Sequence, residues 1–262
     1  MPVFDRIEAD DYEQVVFCHH RASGLRAIIA VHSTALGPAL GGTRLYPYAT
    51  EEDAFDDVLR LSKGMTYKAA LAGLDLGGGK AVVWGDPATD KSEALLRAYA
   101  RYVDALGGRY ITAEDVGTTQ ADMDLIRRET RWVTGVSQSL GGSGDPSLAT
   151  AEGLYYGMKA VAHTLWDSAS LEGRHVAVSG VGKVGYGVVR QLVEERCRVT
   201  VADVVPAAVE RVVADFGVEA APVEKIHALP CDIFAPCALG GALSETTIVE
   251  LRCAAVCGCA NS

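Results

Sequence analysis

Two lysines stand in an apolar, glycine-heavy stretch, "TYKAALAGLDLGGGKAVVWGD", over residues 66–86. Neither Lys68 nor Lys80 has a carboxylate adjacent in the chain, and Gly77, Gly78 and Gly79 lead directly into Lys80. An ordinary lysine titrates near about 10.4 and is no base at neutral pH. Desolvation and a neighbouring cation both lower that value. Two buried lysines facing one cleft could therefore bring one into working range as a general base, with the other binding an anion such as a carboxylate. Gly41–Gly42 and the Gly77–Gly79 run let the backbone come close to a small ligand. The alternative is that both lysines extend to solvent along an apolar surface, and residue types alone leave both open.

A second set of residues points to a dinucleotide. The stretch "GVGKVG" puts Gly180, Gly182 and Gly185 in G-x-G-x-x-G spacing, with Val181, Lys183 and Val184 between them. An apolar strand precedes it and an amphipathic helix follows, the context that gives this motif meaning. The first glycine allows a tight turn, the second a close backbone approach to a pyrophosphate, and the third close helix–strand packing. Free N–H groups at the helix N-terminus then face the phosphates. Asp203 lies twenty-three residues beyond Gly180, where an acid binds the adenosine ribose hydroxyls. Val204 and Val205 follow it, with no arginine to receive a 2′-phosphate, so NAD is expected rather than NADP. The competing interpretation is a glycine-rich turn without a nucleotide.

These residues need a frame. Strands are expected at 13–18 and 25–32, joined by a turn at Ser23–Gly24. A helix starts after Thr50 with Glu51, Glu52 and Asp53, and carries Phe55, Val58, Leu59 and Ser62 at helical spacing. Residues 80–85 form a strand, 91–106 an amphipathic helix ended by Gly107–Gly108, and 109–115 a strand ending in two carboxylates. The Gly/Ser-rich segment 135–147 is the best candidate boundary. Beyond it come a helix over 148–166, the β-α-β unit around the glycine motif, and further alternation to the end. The expected fold class is α/β in two domains, residues 1–140 for substrate and catalysis and 148–262 as a Rossmann dinucleotide-binding domain.

Composition narrows the partners. The net charge is -10 with no Lys/Arg cluster, which disfavours nucleic acid and anionic membranes. No apolar run approaches the roughly eighteen residues of a membrane helix, and the N-terminus lacks a signal-peptide pattern. Seven cysteines, an odd number without C-x-x-C, suit reduced thiols in a cytoplasmic protein, and no metal is expected.

Six segments together are similar to the Glu/Leu/Phe/Val amino-acid dehydrogenase family. They are "GPALGGTR" (37–44), "KGMTYK" (63–68), "LDLGGGKAVVWGDP" (74–87), "AEDVGTT" (113–119), "GVGKVG" (180–185) and "APCALGGAL" (235–243). The chain most resembles the valine and leucine dehydrogenases within it. The resemblance implies oxidative deamination of a branched-chain L-amino acid to the 2-oxo acid, with NAD reduced. It implies that Lys68 binds the substrate carboxylate with help from the Gly42 backbone. Lys80 is then the base that activates water for attack on the imine, and Asp115 exchanges protons at the substrate nitrogen and holds Lys80. Leu40, Gly41, Met65, Ala113 and Thr134 line the side-chain pocket, while Thr150, Cys237, Ala238 and Asn261 surround the nicotinamide. The first domain also serves a homo-oligomer. Family members continue past "GCANS", usually with a second Asn where Ser262 stands, so an incomplete Rossmann domain is expected. A non-catalytic NAD-binding or interaction protein of this descent, or the same chemistry on an aromatic amino acid, are the alternatives.

Overall fold

Near-continuous apolar runs give the first half of the chain its sheet. In the computed structural model, which describes residues 3–238, 240 and 242–260, the chain divides into two units, Met1–Asp145 and Pro146–Ser262. The first contains α1 (Val3–Glu8), β1 (Gln14–His20), β2 (Leu25–Ser33), β3 (Ala39–Tyr46), α2 (Glu51–Leu71), β4 (Gly77–Trp84), α3 (Glu93–Ala105), β5 (Tyr110–Glu114) and α4 (Gln120–Ile126). The strand order is β1-β2-β4-β3-β5. β1 and β4 run antiparallel to β2, and β3 is parallel to both β4 and β5. β2 and β4 are buried on both faces, so their sequences do not alternate. Leu95, Leu96, Tyr99, Val103, Met123 and Ile126 of α3 and α4 belong to one core cluster of the sheet, and Ala54, Phe55, Val58 and Leu59 of α2 to another.

Thr50 and Asp53 cap α2 reciprocally: Asp53 N–H donates to Thr50 Oγ1 at 3.0 Å and Thr50 N–H donates to Asp53 Oδ2 at 3.0 Å. The helix then runs 21 residues, so Met65, Thr66 and Lys68 all ride on its last two turns. Two features differ from the sequence expectation. Residues Gly77–Gly79 are strand residues, paired with Val31 and Ser33 of β2 and with Ala39 and Leu40 of β3, so Lys80 is the fourth residue of β4 rather than its first. Residues 39–46 form β3, a strand whose Gly41–Gly42 pair masks it from propensity.

The second unit contains α5 (Ser147–Trp166), β6 (His175–Ser179), α6 (Lys183–Glu194), β7 (Arg198–Ala202), α7 (Pro206–Phe216), β8 (Glu219–Ala220), β9 (Cys231–Pro236), α8 (Glu245–Ile248) and β10 (Cys253–Val256). Its five strands are all parallel in the order β10-β9-β6-β7-β8. Met158 of α5 and Val188, Val189 and Leu192 of α6 pack with Val176 and Val178 of β6 in its main core. β6-α6-β7 is the unit expected around the glycine motif.

Candidate functional site

The first cluster forms where β3, β4 and the end of β5 lie side by side. Lys80 is 4 % exposed, and β2 places Ala30 opposite it. Its Nζ lies 2.6 Å from Oδ2 of Asp115, the residue that follows β5. Burial is the strongest influence on Lys80 and pushes its ammonium below the usual lysine range, against the opposing pull of Asp115. For Asp115, burial favours the neutral acid, but Lys80 and Arg44 outweigh it and hold the carboxyl below its ordinary range. The pair joins an amine driven toward neutrality to a carboxylate that stays ionised, an arrangement suited to proton transfer.

Arg44 of β3 is the functional neighbour that sequence reasoning passed over. Its Nε–H donates to the same Asp115 Oδ2 at 3.1 Å, and its Nη1–H donates to Asp57 Oδ2 at 2.8 Å. Asp57 also accepts from Tyr48 OH at 2.6 Å and from Arg60 Nη2 at 2.8 Å. The available signal was Arg44's place at the end of "GPALGGTR". The turn after β5 is fixed by Thr118, whose Oγ1 accepts from Asp115 N–H at 2.9 Å and donates to Thr43 O at 2.9 Å.

Of the expected pocket residues, Gly41 and Gly42 lie beside this pair: a Cβ on Gly41 would stand 3.4 Å from Lys80 Cα and one on Gly42 2.9 Å from Asp115 Cβ. Leu40, Gly41 and Gly42 are consecutive on β3, and Gly42 is in register with Ala113 of β5. A Cβ on Gly41 would stand 1.7 Å from the Gly79 carbonyl oxygen, so the close approach of β3 to β4 requires glycine. Tyr110 OH donates to the Gly41 carbonyl at 2.6 Å and anchors it. Thr134 N–H donates to Thr112 O at 2.8 Å, which sets Thr134 beside β5. Met65 precedes Thr66, which packs on Gly78 of β4 and whose Oγ1 is 2.8 Å from His32 Nδ1. Lys68 lies in the last turn of the same helix and is exposed. That corrects the picture of two buried lysines: Lys80 is buried, and the cation sharing its carboxylate is Arg44.

The second cluster is the glycine turn between β6 and α6. Gly180 has φ +100, and a Cβ there would meet Ala238 N at 2.5 Å. A Cβ on Gly185 would lie 2.0 Å from the Gly180 carbonyl oxygen, so α6 packs directly on the turn. At Gly182 nothing lies within 4 Å of the Cβ position, and the backbone faces open space. Gly182 is also the N-cap of α6 and offers no side chain to its first N–H groups. This surface, with Val181, Lys183 and Val184 completing the turn, fits a pyrophosphate. Asp203 follows β7 and is tied to the turn, accepting from Val181 N–H at 2.7 Å through Oδ2 and from Val205 N–H at 2.9 Å through Oδ1. An ionised carboxylate has lone pairs left for ribose hydroxyls.

Cys237 N–H donates to Ser179 O at 2.7 Å, so Cys237 and Ala238 lie against the same turn. Thr150 is in the first turn of α5, its Oγ1 donating to Pro146 O at 3.0 Å, next to Ala151, which packs at Gly187 of α6. Asn261 lies outside the described residues. Among the described residues no His/Cys/Asp/Glu group could hold a metal ion, and no helix is long and apolar enough to cross a membrane.

Residues 12–132 match the family model described as Glu/Leu/Phe/Val dehydrogenase, dimerisation domain. The chain is 54% identical over 262 residues to a leucine dehydrogenase of Geobacillus stearothermophilus, covering 100% of this chain and 71% of that protein. It is 55% identical over 258 residues to a valine dehydrogenase of Streptomyces virginiae, covering 96% and 71%. Among solved structures, the L-tryptophan dehydrogenase of Nostoc punctiforme superposes with a TM-score of 0.73 at 43% identity, covering 98% of this chain and 73% of that one. The hetero-hexameric glutamate dehydrogenase of Thermus thermophilus gives a TM-score of 0.77 at 26% identity, covering 95% and 67%.

Proposed function

Because the chain belongs to the Glu/Leu/Phe/Val dehydrogenase family, we infer that it catalyses the reversible, NAD-dependent oxidative deamination of a branched-chain L-amino acid to the 2-oxo acid and ammonia. The observation that carries this reading is the buried Lys80 with its Nζ 2.6 Å from Asp115 Oδ2, among Leu40, Gly41, Gly42 and Ala113. The leucine and valine dehydrogenases among the relatives support the branched-chain side chain.

NAD, held by residues 180–185 and Asp203, supplies the hydride acceptor. Lys68 and the Gly42 backbone bind the substrate carboxylate. Lys80, its proton destabilised by burial, takes a proton from the water that attacks the substrate imine. Asp115 holds Lys80 and exchanges protons at the substrate nitrogen. Leu40, Gly41, Met65, Ala113 and Thr134 form the aliphatic pocket, and Thr150, Cys237, Ala238 and Asn261 bound the nicotinamide region. The first unit also forms the contacts of a homo-oligomer, in keeping with its match to a dimerisation domain. Seven free thiols suit a reducing cytoplasm.

The test follows NADH absorbance with the full chain, NAD and a panel of L-amino acids. Turnover greatest with leucine or valine supports the assignment. Turnover greatest with tryptophan or phenylalanine moves the substrate class, and NAD binding with no turnover on any amino acid refutes the activity.

A further inference from the structure

Arg44 is 7 % exposed and joins carboxylates from two different elements, Asp57 of α2 and Asp115 beyond β5. Asp57 is held in turn by Tyr48 OH and Arg60. The contacts Asp57–Arg44–Asp115–Lys80 therefore link α2, β3, the end of β5 and β4 in one line. A planar guanidinium gripped at two nitrogens by two carboxylates keeps one orientation. Asp115 Oδ2, shared by Arg44 and Lys80, cannot turn from either without losing a charge-assisted bond. We propose that Arg44 is the positioning residue of this site: it fixes the Asp115 carboxylate beside Lys80 and supplies a permanent charge that helps Lys80 release its proton, while Asp57 sets how strongly that charge is felt. The role deepens, and rests on, the assignment of Lys80 as general base.

The charged groups acting on Lys80 are Asp115 from the end of β5, Arg44 from β3 and Asp57 from α2, and β2 presents the uncharged Ala30. Arg44 favours loss of the lysine proton and Asp57 favours its retention. The two therefore predict opposite displacements. In Arg44→Gln, Lys80 keeps its proton to higher pH. The ascending limb of kcat against pH moves up, and kcat at neutral pH falls about tenfold, a loss that shrinks as pH rises. In Asp57→Asn, the charge of Arg44 is less compensated and the limb moves down. In Arg44→Lys, the charge remains but one ammonium replaces a two-ended fork, so kcat falls at every pH with the limb near its original position. KM for the amino acid stays within about twofold throughout, because the carboxylate-binding lysine is untouched.

The experiment measures kcat and KM for L-leucine against pH for the full chain and the three variants, with circular dichroism to establish folding. In parallel, NMR of lysine-labelled protein follows the titration of Lys80, assigned by its loss in Lys80→Met. Opposite displacements in Arg44→Gln and Asp57→Asn support the role. Displacement in the same direction, or none, in folded variants overturns it. If Arg44→Gln does not fold, the downward displacement in Asp57→Asn and the unmoved limb of Arg44→Lys decide the matter. If the wild type deaminates no amino acid, the general-base assignment has failed, and the NMR displacements still show whether Arg44 and Asp57 govern Lys80.

Discussion

Lys80→Ala separates chemistry from binding and folding. Removing a positioned general base typically costs a factor of about 10² to 10⁴, so kcat should fall by that much. The fold should tolerate the change better than loss of a buried ion partner usually allows. An orphaned buried charge costs about 3–5 kcal/mol, but here Asp115 keeps the Arg44 Nε–H at 3.1 Å. What remains is a vacated aliphatic stem in a buried strand, worth about 2 kcal/mol. NAD affinity should not change, because the turn at Gly180–Gly185 belongs to the other unit. Initial rates of NADH formation at several leucine concentrations, NAD binding by fluorescence and a chemical denaturation curve give the three quantities. Near-wild-type turnover in the folded variant would falsify the base assignment. A raised KM with unchanged kcat would recast Lys80 as a binding residue.

Three further outcomes are expected. Lys68→Ala should raise the amino-acid KM more than it lowers kcat, read from the same rate curves; an unchanged KM would dismiss Lys68 as the carboxylate partner. Asp203→Ser should narrow the preference for NAD over NADP, measured as the ratio of kcat/KM values, and a wild type that prefers NADP would sink the ribose assignment. Gly41→Ala would drive a methyl to 1.7 Å from the Gly79 carbonyl. Backbone must move to relieve that, so a loss of about 3 kcal/mol is expected from denaturation midpoints, and a variant as stable as the parent would contradict the close packing of β3 on β4.

Much of the frame was legible because it is local. The cap at Thr50, the amphipathic α3 and the β6-α6-β7 unit each follow from signals within a dozen or so residues. β3 was not, since two glycines in an eight-residue strand erase the β-branched signal, and only the fold shows that Gly41 is there to admit the neighbouring backbone. Lys80 and Asp115 lie thirty-five residues apart, one on β4 and the other just past β5, with β3 between those strands, so their pairing depends on a strand order that periodicity cannot supply. Residue types singled out Lys80 and the resemblance added Asp115, while the physical reason for a low lysine pKa was partly misplaced. Lys68 is exposed, and the second cation comes from β3.

That second cation also explains how a lysine is tolerated in the middle of a buried strand. Lys80 and Arg44 face Asp115 and Asp57, with the more exposed Arg60 on the second oxygen of Asp57, so each buried cation has a carboxylate beside it when Lys80 is protonated. Deprotonation of a lone Lys–Asp pair in such a place would leave a buried carboxylate without a counter-charge, and that cost would hold the proton in place. Here Asp115 retains Arg44 whichever form Lys80 takes. Both protonation states are thus physically supported, which a group that accepts and returns a proton in each turnover requires. Asp57, which accepts from Tyr48 OH on the oxygen it shares with Arg44 and from Arg60 on the other, opposes the effect of Arg44 on Lys80. On the proposed reading Lys80 is a tuned base rather than a member of a static ion pair: removing the charge of Arg44 loses the tuning, and replacing its fork loses the positioning of Asp115.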